Sequence, residues 1–206
     1  MQILRHYDTD FAQAINKLRR RALPVGGVER TVREILEAVS SRGDDAVLEY
    51  TERFGGPRLS AAEMLEDRVP QVSAQTRRVV EAAWRNVHRF ARKSLRKDWK
   101  MRNGQGAWVG ERFSPFERVG VYVPGGSAPL VSTAVMTVTL AAAAGVKEIV
   151  VATPADVGSG VNDELLYALH RAGATEVYKV GGAQAIAALA YGTQTIRSVQ
   201  KIVCLL

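Results

Sequence analysis

The sequence predicts an α/β fold in two parts: a helical, basic N-terminal region (residues 1–117) and an incomplete parallel-sheet domain (residues 118–206). Three observations lead there. Residues 1–117 hold 22 Lys and Arg against 16 Asp and Glu, whereas residues 118–206 hold only 6 against 5, so charge divides the chain near Arg118. Apolar residues in the first part recur at helical spacing. The second part alternates short β-branched runs with helix-compatible segments punctuated by Gly and Pro, the pattern of parallel strands joined by right-handed helical crossovers.

In the first part, Phe11, Ala14, Ile15 and Leu18 share one helix face, and Val28, Val32, Ile35, Leu36 and Val39 repeat the spacing up to Gly43. Asp44 and Asp45 read as the N-cap region of a helix over Ala46 to Phe54, closed by Gly55-Gly56-Pro57. Ser60-Ala-Ala-Glu63 fits a capping box. Val80, Trp84, Val87 and Ala91 mark a longer helix from about Ala74 to Lys97, and Trp108 to Phe113 reads as a short strand. Ten basic residues crowd this helix and its exit, from Arg77 to Arg102. No nucleic-acid motif accompanies them, so they read as the solvated face of an amphipathic helix, and no nucleic-acid partner is expected.

In the second part, Val119 to Val123 is β-branched and bounded by Pro124-Gly125-Gly126. A helix follows from Pro129 to Ala144, ending at Gly145, then a strand over Glu148 to Thr153. Asn162 is placed to cap a helix from Asp163 to Ala172, stopped by Gly173. Glu176 to Val180 is a third strand, Ala183 to Tyr191 a helix ending at Gly192, and Lys201 opens a fourth strand that reads as one for burial on both faces.

Composition excludes several classes. At 47% hydrophobic and 24% charged residues the chain is an ordinary folded one. Its one cysteine, Cys204, rules out an internal disulfide or a cysteine zinc finger, and His6, His88 and His170 lack metal-ligand spacing. The longest apolar stretch, Ala134 to Val146, is too short to span a bilayer, and no targeting segment is visible, so neither membrane association nor a location outside the cytoplasm is expected.

An internal echo stands out. Val121-Tyr122-Val-Pro-Gly125-Gly126 and Val177-Tyr178-Lys-Val-Gly181-Gly182 share Val-Tyr-x-x-Gly-Gly, each where a strand passes into a helix. Glycines there allow close approach to backbone, and a helix N-terminus offers N–H groups to an anion. The spacing is not the Gly-x-Gly-x-x-Gly dinucleotide fingerprint. The turns therefore read either as tight connections alone or as a nucleotide-phosphate edge.

The residues of Glu117-Arg-Val-Gly-Val-Tyr-Val-Pro-Gly-Gly126, Ala128-Pro129, and Ala144-Gly-Val-Lys-Glu-Ile-Val-Val151 closely resemble histidinol dehydrogenases. So does Val177-Tyr-Lys-Val-Gly-Gly-Ala-Gln-Ala-Ile-Ala-Ala-Leu-Ala-Tyr-Gly-Thr193, the most specific stretch. Ser41 to Phe54 is similar to the family's N-terminal helices. The resemblance implies a zinc-dependent homodimeric enzyme of histidine biosynthesis that oxidises L-histidinol to L-histidine with two NAD. It also implies an incomplete Rossmann-like nucleotide domain related to the aldehyde dehydrogenase fold. By position, Tyr122 and Gln184 match the family's NAD-contacting tyrosine and glutamine. The cofactor-binding set expected is therefore Tyr122, Gln184, Gly125, Gly126, Gly181 and Gly182.

The sequence also departs from the family. The family continues from Ile-Val into Gly-Pro-Gly-Asn, whereas Ile202-Val203 here passes into Cys204-Leu205-Leu206. The family's further NAD-contacting asparagine, its Gln, His and Asp zinc ligands and its Glu–His acid–base pair have no counterpart, and Phe90-Ala-Arg-Lys stands where Phe-His is typical. The expectation is an N-terminal portion, truncated, binding NAD weakly, holding no zinc and inactive alone. A nucleotide-binding or regulatory module and a basic nucleic-acid-binding protein stay open as alternatives.

Overall fold

The computed structural model describes residues 5–7, 9–19, 26–125, 129–158 and 160–204. The chain divides into two compact units, residues 1–34 and 35–206. The first contains α1 (Phe11–Arg19) and the opening turns of α2 (Gly26–Arg42), where Glu29 pairs with Arg33 and Arg30 with Glu34 one turn apart. Everything that follows concerns the second unit.

Its centre is a parallel sheet of β3 (Arg118–Tyr122), β4 (Glu148–Ala152), β5 (Glu176–Tyr178) and β6 (Lys201–Cys204), in the order β5-β4-β3-β6. The composition break at Arg118 coincides with the first residue of β3. The joining helices are α5 (Val131–Ala144), α6 (Asp163–Ala172) and α7 (Gly182–Tyr191). Their ends follow the residues that marked them. Asn162 Oδ1 accepts the N–H groups of Glu164 and Leu165, and α5 and α6 stop at Gly145 and Gly173, both left-handed.

The sheet is buried on both faces, and strand alternation sorts its side chains. Val121, Val123, Ile149, Val151 and Val177 face α5, α6 and α4 (Ala74–Ser94). Val150, Ala152 and Tyr178 face α7, the end of α2 and α3 (Asp44–Arg53). The β5 edge is covered by the chain around a 3-10 turn at Ala62–Met64: Glu66 N–H donates to Val177 O and Lys179 N–H to Met64 O. β6 forms the other edge. Contrary to the expectation of burial on both faces, Ile202 and Val203 are only half-buried and Lys201 and Cys204 exposed, because β6 pairs with β3 alone and Ile202 reaches just one core. Leu205 and Leu206 lie outside the described residues.

Three other expectations need correction. The long helix ends at Ser94, and the strand over Trp108 to Phe113 shortens to β2 (Trp108–Glu111). β2 pairs with the unforeseen β1 (Trp99–Arg102) in an antiparallel hairpin, exposed at every residue. Its turn is held by Asn103 Oδ1, which accepts N–H groups from Gln105 and Ala107. Asp44 is not a cap: Gly43 holds that position, and the Asp44 N–H is taken by Gln194 Oε1 at 2.8 Å. The buried Asp44 carboxylate instead accepts from the Thr195 hydroxyl at 2.6 Å, a partner 151 positions away.

At the amino end of the sheet, Arg118 is buried and donates to Glu148 at 2.6 Å and to both oxygens of Glu176 at 2.7 and 2.8 Å. Tyr178 Oη also donates to Glu176; burial, with that carboxylate beside it, pushes the phenol up to about 12. Hydrogen bonds from Arg118 hold the Glu176 carboxyl below its ordinary value near 4.5. Arg118→Met should cost about 3 kcal/mol in urea unfolding, the low end for a broken buried pair, since Glu148 and Glu176 keep 40% and 29% exposure. A carboxyl depressed on folding contributes stability that is complete above its unfolded value and lost as pH falls through the folded one. The stability of the native chain should therefore drop below about pH 4.5, and the Arg118→Met chain should show a shallower drop across the same window.

Candidate functional site

The strand order reverses beside β3: β4 and β5 follow on one side, β6 on the other. In open parallel sheets, ligands settle outside the carboxyl ends of the strands near such a reversal. Both Val-Tyr-x-x-Gly-Gly segments end there, one after β3 and one after β5, with β4 between them. Gly126 lies outside the described residues.

The two turns meet on one residue that the sequence reading did not single out, Pro154, at the exit of β4. A Cβ on Gly125 would lie 3.0 Å from the Pro154 Cγ, and one on Gly181 would lie 2.6 Å from the same atom. The shared glycines thus let both turns close on one proline ring. They are also bonded directly: the Gly182 N–H donates to the Tyr122 hydroxyl at 3.0 Å. The echo in the sequence corresponds to one joined structure at one end of the sheet.

Pro154 separates two cavities. The first, about 210 Å³, is lined by Thr51, Phe54 and Pro57 from the end of α3 and its loop, and by Lys179, Gly181, Gly182 and Gln184. The second, about 220 Å³, is lined by Pro124, Gly125, Pro129, Thr153, Asp156 and Asn162. Each is lined by a residue with a buried polar atom that lacks a partner: Gln184, through Oε1, at the first and Thr153, through Oγ1, at the second. A buried polar atom left unpaired costs stability. The Thr139 hydroxyl on α5 is likewise unpaired, and nothing in the structure explains it.

Of the expected set, Gly181, Gly182 and Gln184 line the first cavity and Gly125 the second. Tyr122 lines neither of these; it is half-buried and joined to them through Gly182. The wall from α3 was missed, because only the tertiary packing of α3 against α7 brings Phe54 and Pro57 to the turn. Beside β5 the buried Glu66 carboxylate is pushed up by burial, yet the hydrogen bonds of Arg68 and the Val161 N–H outweigh that and hold it below its ordinary range. The basic residues of α4 stay exposed, while Val80, Trp84 and Val87 pack into the core shared with α5 and α6, and Ala91 is buried. Between α4 and α6, Arg171 stacks over Trp84 at 3.2 Å and pairs with Glu81, Arg77 lies over the Tyr167 ring, and the Thr76 hydroxyl donates to Glu164. Among the described residues, no group of three or more His, Cys, Asp or Glu is placed to hold a metal ion. No helix there is long and apolar enough to cross a membrane.

An open parallel sheet covered by helices on both faces, with glycine turns gathered at its carboxyl end, defines a doubly wound α/β protein. The sequence matches the histidinol dehydrogenase family profile over residues 18–204. The chain is 40% identical to the histidinol dehydrogenase of Syntrophotalea carbinolica over 98% of its own length and 48% of that protein's. To that of Chlorobium luteolum it is 44% identical, over 85% of this chain and 40% of the relative. The crystal structure of histidinol dehydrogenase from Elizabethkingia anophelis superposes with a TM-score of 0.74 at 28% identity, covering 93% of this chain and 45% of that one. The chain belongs to the histidinol dehydrogenase family and spans less than half the length of these relatives.

The contact at Pro154 makes a direct prediction. Gly181 has an extended φ of −122°, so a side chain there is limited by space alone. Gly181→Ala should destabilise the chain by about 1–3 kcal/mol through overpacking, and Gly125→Ala by less. Adding Pro154→Ala to Gly181→Ala should recover part of the loss in thermal unfolding; no recovery would mean that the proline ring is not what the glycine accommodates.

Proposed function

We propose that these 206 residues are the nucleotide-binding portion of a cytoplasmic histidinol dehydrogenase, an oxidoreductase that converts L-histidinol to L-histidine with NAD. The observation that carries this reading is the pair of buried unpaired atoms, Gln184 Oε1 and Thr153 Oγ1, on either side of the joined turns. Gln184 would accept a hydrogen bond from a carboxamide or ribose donor of the nucleotide. The amides at the start of α7 would face its phosphates, helped by the helix dipole and by Lys179 at the rim. Phe54, Pro57 and Pro154 would supply apolar walls for its rings. NAD, when bound, supplies the acceptor for the hydride that leaves the alcohol carbon.

The residues described do not fit the zinc that the family resemblance implies, and no step is assigned to it. The family's acid–base pair also has no counterpart in this sequence. Homodimer formation belongs to the same proposal for the whole enzyme.

Calorimetric titration of the chain with NAD should show binding weaker than about 1 µM. Gln184→Leu separates ligand binding from folding. Replacing a buried amide whose oxygen is unpaired should leave thermal stability equal or higher, while NAD affinity falls about fivefold, the worth of one hydrogen bond. Unchanged affinity would remove Gln184 from the site. L-histidinol added with NAD should yield no NADH above background from the isolated chain; measurable turnover would show that these residues hold a complete reaction centre.

A further inference from the structure

We infer that the second cavity takes a vicinal diol, with the Asp156 carboxylate as its acceptor, and that Asp156 selects a nucleotide with a free ribose 2′-hydroxyl over one carrying a 2′-phosphate. The inference rests on the nucleotide reading above and deepens it, assigning the choice between NAD and NADP to one residue.

The two cavities beside Pro154 differ in charge. Among the described residues, the first is lined by one cation, Lys179, and no carboxylate. The second is lined by one carboxylate, Asp156, and no Lys or Arg. A phosphate is therefore attracted to the first and repelled from the second. An ionised carboxylate is an acceptor through both oxygens, so it takes a group with protons to give. Two other side chains of the same cavity narrow that group. Thr153 is 1% exposed, and its hydroxyl, which can donate or accept, has no partner. Asn162 Oδ1 is taken by the Glu164 and Leu165 amides, so its NH2 is what it can still offer. An ammonium group would satisfy the carboxylate but give the NH2 nothing to meet. Two adjacent hydroxyls, each donor and acceptor, match all three. Size agrees: neither cavity beside Pro154 reaches the roughly 300 Å³ at which complete ligand pockets begin, so a dinucleotide has to span both.

Asp156 stands four positions after the end of β4, at the carboxyl end of the sheet. Its N–H donates to Gly160 O at 3.2 Å, which closes the loop that leads to α6. The backbone makes that bond, so changing the carboxylate leaves the loop closed. Asp156 also lines a third cavity, about 400 Å³, together with Arg58, Arg68 and Lys179. Arg68 is engaged by Glu66 and Asp163. If these cations governed the choice instead of Asp156, NADP would be the preferred nucleotide.

Calorimetric titration with NAD and with NADP reads the choice directly. The native chain should bind NAD at least about tenfold more tightly than NADP. Asp156→Asn keeps the size and removes the charge. It should weaken NAD about tenfold, leave NADP unchanged or improved, and bring the two within about threefold. A merely structural role would weaken both equally; an unchanged ratio therefore overturns the inference, as does equal or tighter binding of NADP by the native chain. Thr153→Val removes a hydroxyl that has no partner, so thermal stability should be equal or higher while NAD affinity falls about fivefold. Unchanged NAD affinity in that variant overturns the diol assignment. If the native chain binds neither nucleotide, the nucleotide reading fails and the inference falls with it. If it binds NAD with a ratio untouched by Asp156→Asn, the inference alone fails.

Discussion

A single buried guanidinium fixes the geometry on which the rest depends. Arg118 opens β3 and engages Glu148 and Glu176, the first residues of β4 and β5, so three neighbouring strands begin at one charge cluster. Parallel strands cannot be placed relative to one another by a tight hairpin. Their alignment comes from packing and from such contacts. With the amino ends pinned, Tyr122, Ala152 and Tyr178 end level, and the three loops that leave them emerge together. The network continues through Tyr178 to the Thr195 carbonyl, and the Thr195 hydroxyl reaches Asp44 on α3. The same chain of contacts that aligns the strands thus also seats the helix that supplies Phe54 and Pro57 to the site wall.

At the carboxyl end the fold gives up local stability. Two polar atoms stay unpaired, α7 begins without a cap from its own turn, and two glycines close on one proline. The amino end shows the opposite, with its buried charge fully engaged. The sheet is therefore polarised: Arg118 and its two carboxylates are paired at one end, and the Gln184 and Thr153 oxygens lie unpaired at the other.

Elsewhere the architecture is conservative. α4 buries a narrow apolar stripe and leaves its arginines exposed, with Arg77 over the Tyr167 ring of α6 and Arg171 of α6 stacked on Trp84 and paired with Glu81. The exposed hairpin of β1 and β2 carries Trp99 and Trp108, with Lys100 and Arg102 over the Trp108 ring.

By itself the sequence determined the alternation of strands and helices after Arg118, the helix stops at Gly145 and Gly173, the Asn162 cap, the solvated face of α4 and the family resemblance. Each depends on residues within one or two turns of each other, where period, cap and glycine chemistry act locally. The echo of Val-Tyr-x-x-Gly-Gly also drew attention to Tyr122, Gly125, Gly181 and Gln184. Only the tertiary structure decided that both turns close on Pro154, that Tyr122 caps α7, that Gln194 rather than an aspartate holds the start of α3, and that α3 walls the site. These contacts join residues separated by up to about 150 positions, and β1 took its strand identity from a partner across a turn. No local pattern encodes a partner that distant. It is fixed by which faces of the sheet must be buried and by which strand lies next to which.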